Sequence, residues 1–366
     1  MAAKLPLAAV GVGRIGLYHA RHIQEVGRAR GDCELVAVVD PHQDTARRVA
    51  RQLQEGQATI IHAFTGVEEL AAAGMAAGAV IASRTRDHYD DARTLIDAGL
   101  RVLLEKPLTH SLQSAREFVA YLDADAHRKE ALMLAFMRRF DEPLQELKNL
   151  LDQGFIGTPF KIVSVLEDPV PPPVGYSSPG LLKDMAVHNV DEAIWLTGAM
   201  PEMVSGLGAQ LYNHRITTVQ EDLDDAFLQM WFPGNLLGQV QVSRNHVAGY
   251  RNETWVYGED GLIHLGAFQA DPLRVELEAY KRGGGVEKRH FQMRDYGAEV
   301  PMFIERFGPA YRAELDHFVA QCQRRAPFAV DQNDGLRAMA VVEAGTRALS
   351  TREGGVEVKS VLPEIP

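Results

Sequence analysis

The sequence predicts an α/β protein of two domains: a doubly wound parallel sheet at the amino end, then an α+β domain with a large, mainly antiparallel open sheet. Three observations predict it. Apolar runs alternate with helical stretches through the first third of the chain. A glycine turn directly follows the first of those runs. From about Phe160 the pattern changes to short alternating runs separated by Pro-Gly, Asp-Gly and other glycine turns. A length of 366 residues suits two domains, divided as 1–127 and 128–366, with the closing helices able to pack back on the first.

Hydrophobic residues make up 46% and charged residues 24% of the chain, enough apolar material for more than one core. Asp and Glu outnumber Lys and Arg by 49 to 38, a formal charge of −11, which argues against nucleic acid or an anionic membrane surface as a partner. Cys33 and Cys322 lie almost the whole chain apart with no Cys-x-x-Cys. Neither a disulfide framework nor a thiolate zinc site is therefore expected, and no His/Cys cluster points to a metal. No apolar run nears the roughly 20 residues that a membrane helix needs. The opening MAAKLPLAAVGVG runs straight into a glycine pattern without a cleavage region, and reads as the first strand of a cytoplasmic protein.

Residues 5–11, LPLAAVG, read as a buried strand, followed by Gly11-Val12-Gly13-Arg14-Ile15-Gly16 and a helix to about Arg28. Strand, glycine turn and helix together are the setting in which GxGxxG binds a dinucleotide. Gly11 permits the tight turn, Gly13 lets a pyrophosphate approach the backbone, and Gly16 lets the helix pack on the strand. The helix start, at Arg14 and Ile15, then faces the phosphates with its N–H groups. A second strand, ELVAVVD, ends in Asp40, where a carboxylate accepts both ribose hydroxyls and repels a 2′-phosphate. No Arg or Lys follows before Arg47, so NAD is favoured over NADP. The alternation continues with strands at 59–64 and 78–83, a helix over 87–99, a strand at 99–107, a helix over 111–123 and a sixth strand at 131–137. Ligands of such sheets sit beyond the carboxyl ends of the strands. Those ends carry Asp40, Ser83, Glu105-Lys106-Pro107 and Arg138-Arg139. Lys106, directly after a buried strand, is placed to meet a substrate oxygen. The plainer alternative is that Glu105 and Lys106 pair with other groups at the sheet edge.

In DMAVHNVD, 184–191, Asp184, His188 and Asp191 stand at steps of four and three. On a helix those steps put all three on one narrow face, with Met185, Val187, Val190 and Ile194 on the apolar remainder. The stripe is either half of an active site or a capped helix start with an exposed His188.

The glycine turn ending at Gly16, EKP at 105–107, AFMRRFD at 135–141 and DxxxHxxD at 184–191 follow the order and spacing of the Gfo/Idh/MocA oxidoreductases. The chain resembles their inositol dehydrogenase branch. The runs at 306–319 and 334–349 are similar to the closing helices of that branch, so the resemblance spans nearly the whole chain. It implies an amino-terminal Rossmann domain with NAD as cofactor. It also implies roles residue by residue. Lys106 binds the reacting hydroxyl and favours its deprotonation. Asp184 orients the substrate and its partners, His188 is the acid/base, Asp191 touches substrate, and Arg138 lines the substrate pocket. His88 matches a histidine near the nicotinamide, with a helix N-terminal histidine as the plain alternative. Ser83 and Glu105 join it in the cofactor set. Where the branch carries a substrate-contacting histidine on the first strand of its second domain, either Glu167 or Asp168 stands here, followed by a proline run, 169–173, that forms a stiff lip. His317 is a surface histidine or a substrate contact. Arg244, Asn245 and His246 end a strand that could line the site.

The implied function is NAD-dependent oxidation of a secondary ring hydroxyl of a cyclic polyol, scyllo- or myo-inositol to the inosose, without a metal. Within enzymes the alternative is an NAD-dependent aldose or pyranose dehydrogenase, L-sugars and anhydrosugars included. Outside enzymes it is a non-catalytic dinucleotide-binding regulator, which the intact Lys106, Asp184 and His188 disfavour. One face of the second sheet is expected to pack on helices and the other to form the contact of a homotetramer, or a dimer. Trp231, Trp255, Tyr257 and Phe268 are candidates for its apolar area, with placement in the core as the plain alternative.

Overall fold

The computed structural model describes residues 4–169, 179–210, 222–268, 273–294, 300–351 and 354–364. The chain divides into two compact units, Met1–Met137 with Tyr311–Leu336, and Arg138–Ala310 with Arg337–Pro366.

The first unit alternates β1 (Leu5–Val10), α1 (Arg14–Arg30), β2 (Cys33–Val39), α2 (Gln43–Gln54), β3 (His62–Phe64), α3 (Val67–Ala73), β4 (Gly78–Ile81), α4 (His88–Asp97), β5 (Arg101–Glu105), α5 (Leu112–Asp123), α6 (Ala126–Lys129) and β6 (Leu132–Ala135). The six strands are all parallel, in the order β3-β2-β1-β4-β5-β6. β4 and β6 are buried at every position, and β2 at all but Glu34, the pattern of strands covered on both faces. Two strands are shorter than their apolar runs. The 59–64 run supplies only β3, a three-residue edge strand. The 131–137 run stops at Ala135, and Met137–Phe140 forms a 3-10 turn. Apolar sequence marks burial, whereas a strand also needs a neighbour to bond.

Strand order turns at β1, which has β2 on one side and β4 on the other. The switch-point crevice therefore lies at the carboxyl ends of β1 and β4. Gly11 sits there at φ +75, and a Cβ on it would lie 2.5 Å from the Ser83 backbone. A Cβ on Gly16 would fall 1.9 Å from the Gly11 carbonyl oxygen, so α1 approaches the turn as closely as only glycine permits. Around a Cβ on Gly13 there is nothing within 4 Å.

The second unit holds α7 (Glu142–Asp152), β7 (Pro159–Glu167), α8 (Val187–Thr197), β8 (Met203–Ala209), β9 (Asp225–Trp231), β10 (Leu237–Ser243), β11 (Arg251–Gly258), β12 (Gly261–Phe268), β13 (Arg274–Lys281) and β14 (Val286–Gln292). The closing helices α9 (Met302–Arg324) and α10 (Gln332–Thr351) contribute to both units, and β15 (Val356–Glu357) and α11 (Val358–Val361) end the second. Its nine strands run in the order β14-β13-β12-β11-β7-β10-β9-β8-β15. β7 pairs parallel with β10 and every other pair is antiparallel. Residues 170–173 of the expected proline lip, 211–214 of an expected alternating run and the side chain of Phe268 lie outside the described residues. No helix among the described residues is long and apolar enough to cross a membrane.

Within the first unit, Arg101 of β5 donates to the carbonyls of Gln321 (2.6 Å) and Ala326 (2.7 Å). A cation there answers the orphan carbonyls at the end of α9. Val330 then bonds the β6 edge, accepting the Leu134 N–H at 3.2 Å.

The glycine geometry separates two variants. Gly11→Ala forces an alanine into the left-handed region against the Ser83 backbone, and is expected to cost about 2 kcal/mol or more of stability together with dinucleotide affinity. Gly13→Ala is expected to shift the melting temperature by only a few degrees while weakening NAD binding at least about tenfold. Thermal unfolding and fluorescence titration of each variant check both halves.

Candidate active site

The glycine turn fits a dinucleotide pyrophosphate. The Gly13 backbone borders open space, and the first turn of α1 carries no side-chain cap, so its N–H groups offer anion contacts. Arg14 and Ile15 occupy that first turn. Asp40, 7% exposed, follows β2 and accepts the His42 N–H at 3.0 Å, which fixes the carboxylate at the strand end. Ser83 follows β4, and its hydroxyl donates to Asp91 at 2.6 Å. His88 is buried; its ring nitrogens lie 2.9 Å from the Pro107 carbonyl and 3.2 Å from that of Ser83. Burial holds its imidazole below the usual range. The ring therefore stands between two loops of the first unit, one carrying Ser83 and the other Lys106-Pro107, and as a neutral imidazole donates its single N–H to one of the two carbonyls.

Lys106 projects from the end of β5, half-buried. Its backbone N–H donates to Glu105 Oε2 at 3.1 Å, and Glu105 Oε1 accepts from His19 Nε2 at 2.8 Å. Burial alone would raise the Glu105 carboxyl, but the hydrogen bond from His19 and the nearby charge of Lys106 hold it below the ordinary carboxylate value. Glu105 thus stays an anion beside the lysine. His19, absent from the sequence reading, carries no spacing signal because it lies on α1, far away in the chain.

In the second unit the polar stripe begins in a π-helical turn, Leu182–Ala186, that runs into α8. Asp184 accordingly lies outside the α-helix that carries His188 and Asp191. Arg244, 2% exposed, reaches it with Nη2 at 3.4 Å and donates from Nη1 to Asp222 at 2.6 Å. Asp222 also accepts the Leu181 N–H at 2.7 Å, which ties the start of the π-helical turn to the same guanidinium. His188 is 7% and Asp191 1% exposed. Asp191 takes a bidentate pair from Arg139, 2.6 and 3.0 Å. The structure therefore brings Arg244 to Asp184 and Arg139 to Asp191. The sequence marks Arg244 among the strand-end residues but carries no signal for Asp222 or for the pairing of Arg139 with Asp191.

Arg138 is buried. Its Nη1 donates to Glu192 at 2.7 Å, and its guanidinium lies over the Phe307 ring, 5.4 Å from the centroid. Adjacent residues of a 3-10 turn point about a third of a turn apart, so RR cannot face one place, and spacing alone does not tell which arginine goes where. Glu192 is held further by Ser164 (2.8 Å) and Thr254 (2.5 Å), while Asn189 donates to Ser164 at 2.7 Å. Ser164 marks the face of β7 turned to α8. Strand alternation therefore puts Glu167 on the opposite face, where Gln241 (2.6 Å) and Arg251 (3.2 Å) engage it. Asp168 follows the strand, its N–H on the Ser243 carbonyl and its own carbonyl accepting the His246 N–H. His246 Nδ1 lies 2.7 Å from the Gly249 carbonyl. His317 is in the first unit, where its Nε2 accepts the Ala329 N–H at 3.2 Å. Burial lowers its pKa, which suits an acceptor.

Comparison with known proteins adds the family. Residues 6–131 match the NAD-binding Rossmann-fold domain of the GFO/IDH/MocA oxidoreductase family, and residues 144–264 match a C-terminal domain of that family. The scyllo-inositol 2-dehydrogenase (NAD(+)) of Bacillus subtilis strain 168 is 30% identical over 359 residues, 96% of this chain and 95% of that protein. The inositol 2-dehydrogenase of Rhizobium meliloti strain 1021 is 28% identical over 345 residues, 94% and 96% of the two chains. A solved myo-inositol dehydrogenase of Corynebacterium glutamicum superposes with a TM-score of 0.79 at 25% identity, covering 97% of this chain and 98% of the other. The chain belongs to the GFO/IDH/MocA family of oxidoreductases and takes NAD as its cofactor.

Proposed function

We propose that this enzyme oxidises a secondary ring hydroxyl of a cyclic polyol, most simply scyllo- or myo-inositol, to the ketone. The observation that carries the reading is Lys106 on the anchored end of β5, together with His188 beside Asp184, in a chain that aligns end to end with inositol 2-dehydrogenases. NAD, when bound, supplies the hydride acceptor. Every other task falls to the chain's own residues. His188 takes the hydroxyl proton, imidazole being the side chain whose ordinary titration lies near neutral pH. Lys106 stabilises negative charge as it develops on the same oxygen. Asp184, steadied by Arg244, orients substrate and base, and the Asp191–Arg139 pair grips ring hydroxyls. Asp40 accepts the adenosine ribose hydroxyls, and the Gly11–Gly16 turn holds the pyrophosphate. A pyranose presents the same chair rimmed with hydroxyls, so an aldose dehydrogenase is the second reading. An NADH-absorbance screen over inositol stereoisomers and pyranoses separates the two.

The same reading divides labour near residue 127, with cofactor binding before it and substrate binding and assembly after it. It places the protein in the cytoplasm, which fits two free, buried cysteines whose thiols burial pushes up to about 12. We propose a homotetramer built through the open face of the nine-stranded sheet. Leu207 (76% exposed), Phe227 (42%) and Leu237 (48%) stand on that face, away from Glu192 and α8.

Lys106→Ala and His188→Ala are each expected to cut turnover about a hundredfold or more. If both act on one hydroxyl, the double variant loses far less than the product of the two. Near-normal turnover in either single variant would remove that residue from the mechanism. Asp40→Ser is expected to narrow the preference for NAD over NADP, read as the ratio of kcat/KM values; an unchanged ratio counts against its ribose contact. Light scattering is expected to give four times the chain mass, and a lone monomer would refute the sheet-face assembly.

A further inference from the structure

The first unit holds a buried acid that the reaction as proposed does not use. Glu314 lies on α9 with 0% exposure, and neither carboxyl oxygen has a hydrogen-bond partner among the described residues. A carboxylate so placed neutralises rather than stay charged. Burial pushes Glu314 well above the ordinary carboxylate range, and the charge of Glu105 pushes it the same way. As a neutral acid it has one O–H to donate.

A complementary orphan belongs to the ring packed against the preceding turn of α9. Tyr311 precedes Glu314 by three residues and so shares its face of α9. Its ring packs edge-on against His19 of α1, centroids 5.6 Å apart. With His19 Nε2 donating to Glu105, Nδ1 is the acceptor of the neutral ring, and it is buried without a partner among the described residues. Glu105 in turn accepts the Lys106 backbone N–H. A donor without an acceptor and an acceptor without a donor therefore flank the pair that anchors Lys106.

We propose that Glu314 is a positioning residue for Lys106: its O–H donates to His19 Nδ1, and the directed chain from Glu314 through His19 to Glu105 fixes the end of β5 from which the lysine projects. The proposal rests on the catalytic reading of Lys106. The two groups are not within hydrogen-bond distance in the structure, and the bond forms by rotation about the side-chain torsions of Glu314. No covalent bond changes; each proton stays on its donor. Among the described residues the charge bearing on Glu314 is that of Glu105 from β5; His19 from α1, Lys106 and His88 from α4 bear in turn on Glu105.

Glu314→Gln and Glu314→Leu in the full-length enzyme with NAD test this. Glutamine keeps a donor at the same reach, so kcat stays within about threefold of wild type. Leucine keeps the bulk without the donor, and kcat falls about tenfold or more as Lys106 loses its alignment, with little change in the KM for NAD. Thermal unfolding supplies a readout independent of activity, which also serves if the leucine variant does not fold. Because the folded carboxyl titrates above the unfolded one, wild type loses stability as the pH rises past the ordinary carboxylate range, and Glu314→Gln does not. The melting-temperature advantage of Glu314→Gln therefore grows as the pH rises above the ordinary carboxylate range. A folded Glu314→Leu enzyme with wild-type kcat overturns the proposal. So does a wild-type advantage that grows with pH, which would mean a carboxylate paired with an imidazolium. If instead Lys106→Ala keeps its turnover, the catalytic reading of Lys106 fails, and the pH dependence of Glu314→Gln still reports on the buried acid by itself.

Discussion

The buried carboxylate of Glu192 governs where α8 sits. It collects a guanidinium from Arg138, a hydroxyl from Ser164 on β7 and a hydroxyl from Thr254 on β11. With every donor in place the charge is tolerated in a dry interior. Stripping one partner from such a pair costs about 3–5 kcal/mol, a large share of the 5–15 kcal/mol that holds a domain together. α8 therefore has one depth and one rotation on the sheet, and the neighbouring positions inherit them. Asp191 immediately precedes Glu192, and His188 lies one turn earlier on the same helix. The placement of both is thus set by a network around Glu192, the kind of rigid support that a proposed contact residue requires.

The same logic recurs in the first unit at the end of β5. A lysine there is only as well aimed as its backbone, and the backbone is tied from three sides: Glu105 below it, His19 behind Glu105, and His88 on the Pro107 carbonyl. Histidine serves both times because one ring can join two elements from different parts of the chain. Arg244 plays the corresponding part for Asp184, joining β10's end to the π-helical turn and to Asp222. Asp184 and the backbone of Lys106 are thus each tied to a buried group of opposite or complementary character.

Much of this was legible in sequence. The glycine turn, Asp40, EKP and DxxxHxxD are local signals, each set by geometry within one turn or one strand end, and short spacing carries that information. The parallel order of the first sheet followed from alternation, and the nine-stranded sheet from short runs and turns. What spacing did not carry were the distant partners. Arg138 and Arg139 look alike in MRRF, and only the 3-10 turn sends one to Glu192 and the other to Asp191. Glu167 and Asp168 were equal candidates for one role until the face of Ser164 fixed the alternation of β7. The helix expected to begin at Asp184 begins instead as a π turn, because a widened turn leaves no mark in the periodicity of seven residues.

By itself the sequence determined the cofactor class, the two-sheet architecture and the identities of the lysine, histidine and aspartates proposed for the chemistry, since each depends on residue type at short range. The tertiary structure alone decided which buried charges meet, His19 with Glu105, Arg244 with Asp184 and Asp222, and Glu192 with Arg138, and it left the carboxyl of Glu314 buried with no hydrogen-bond partner among the described residues. The reason is physical. A buried charge is satisfied by whatever the fold carries next to it, and that neighbour comes from residues tens to hundreds of positions away, where no local pattern reaches.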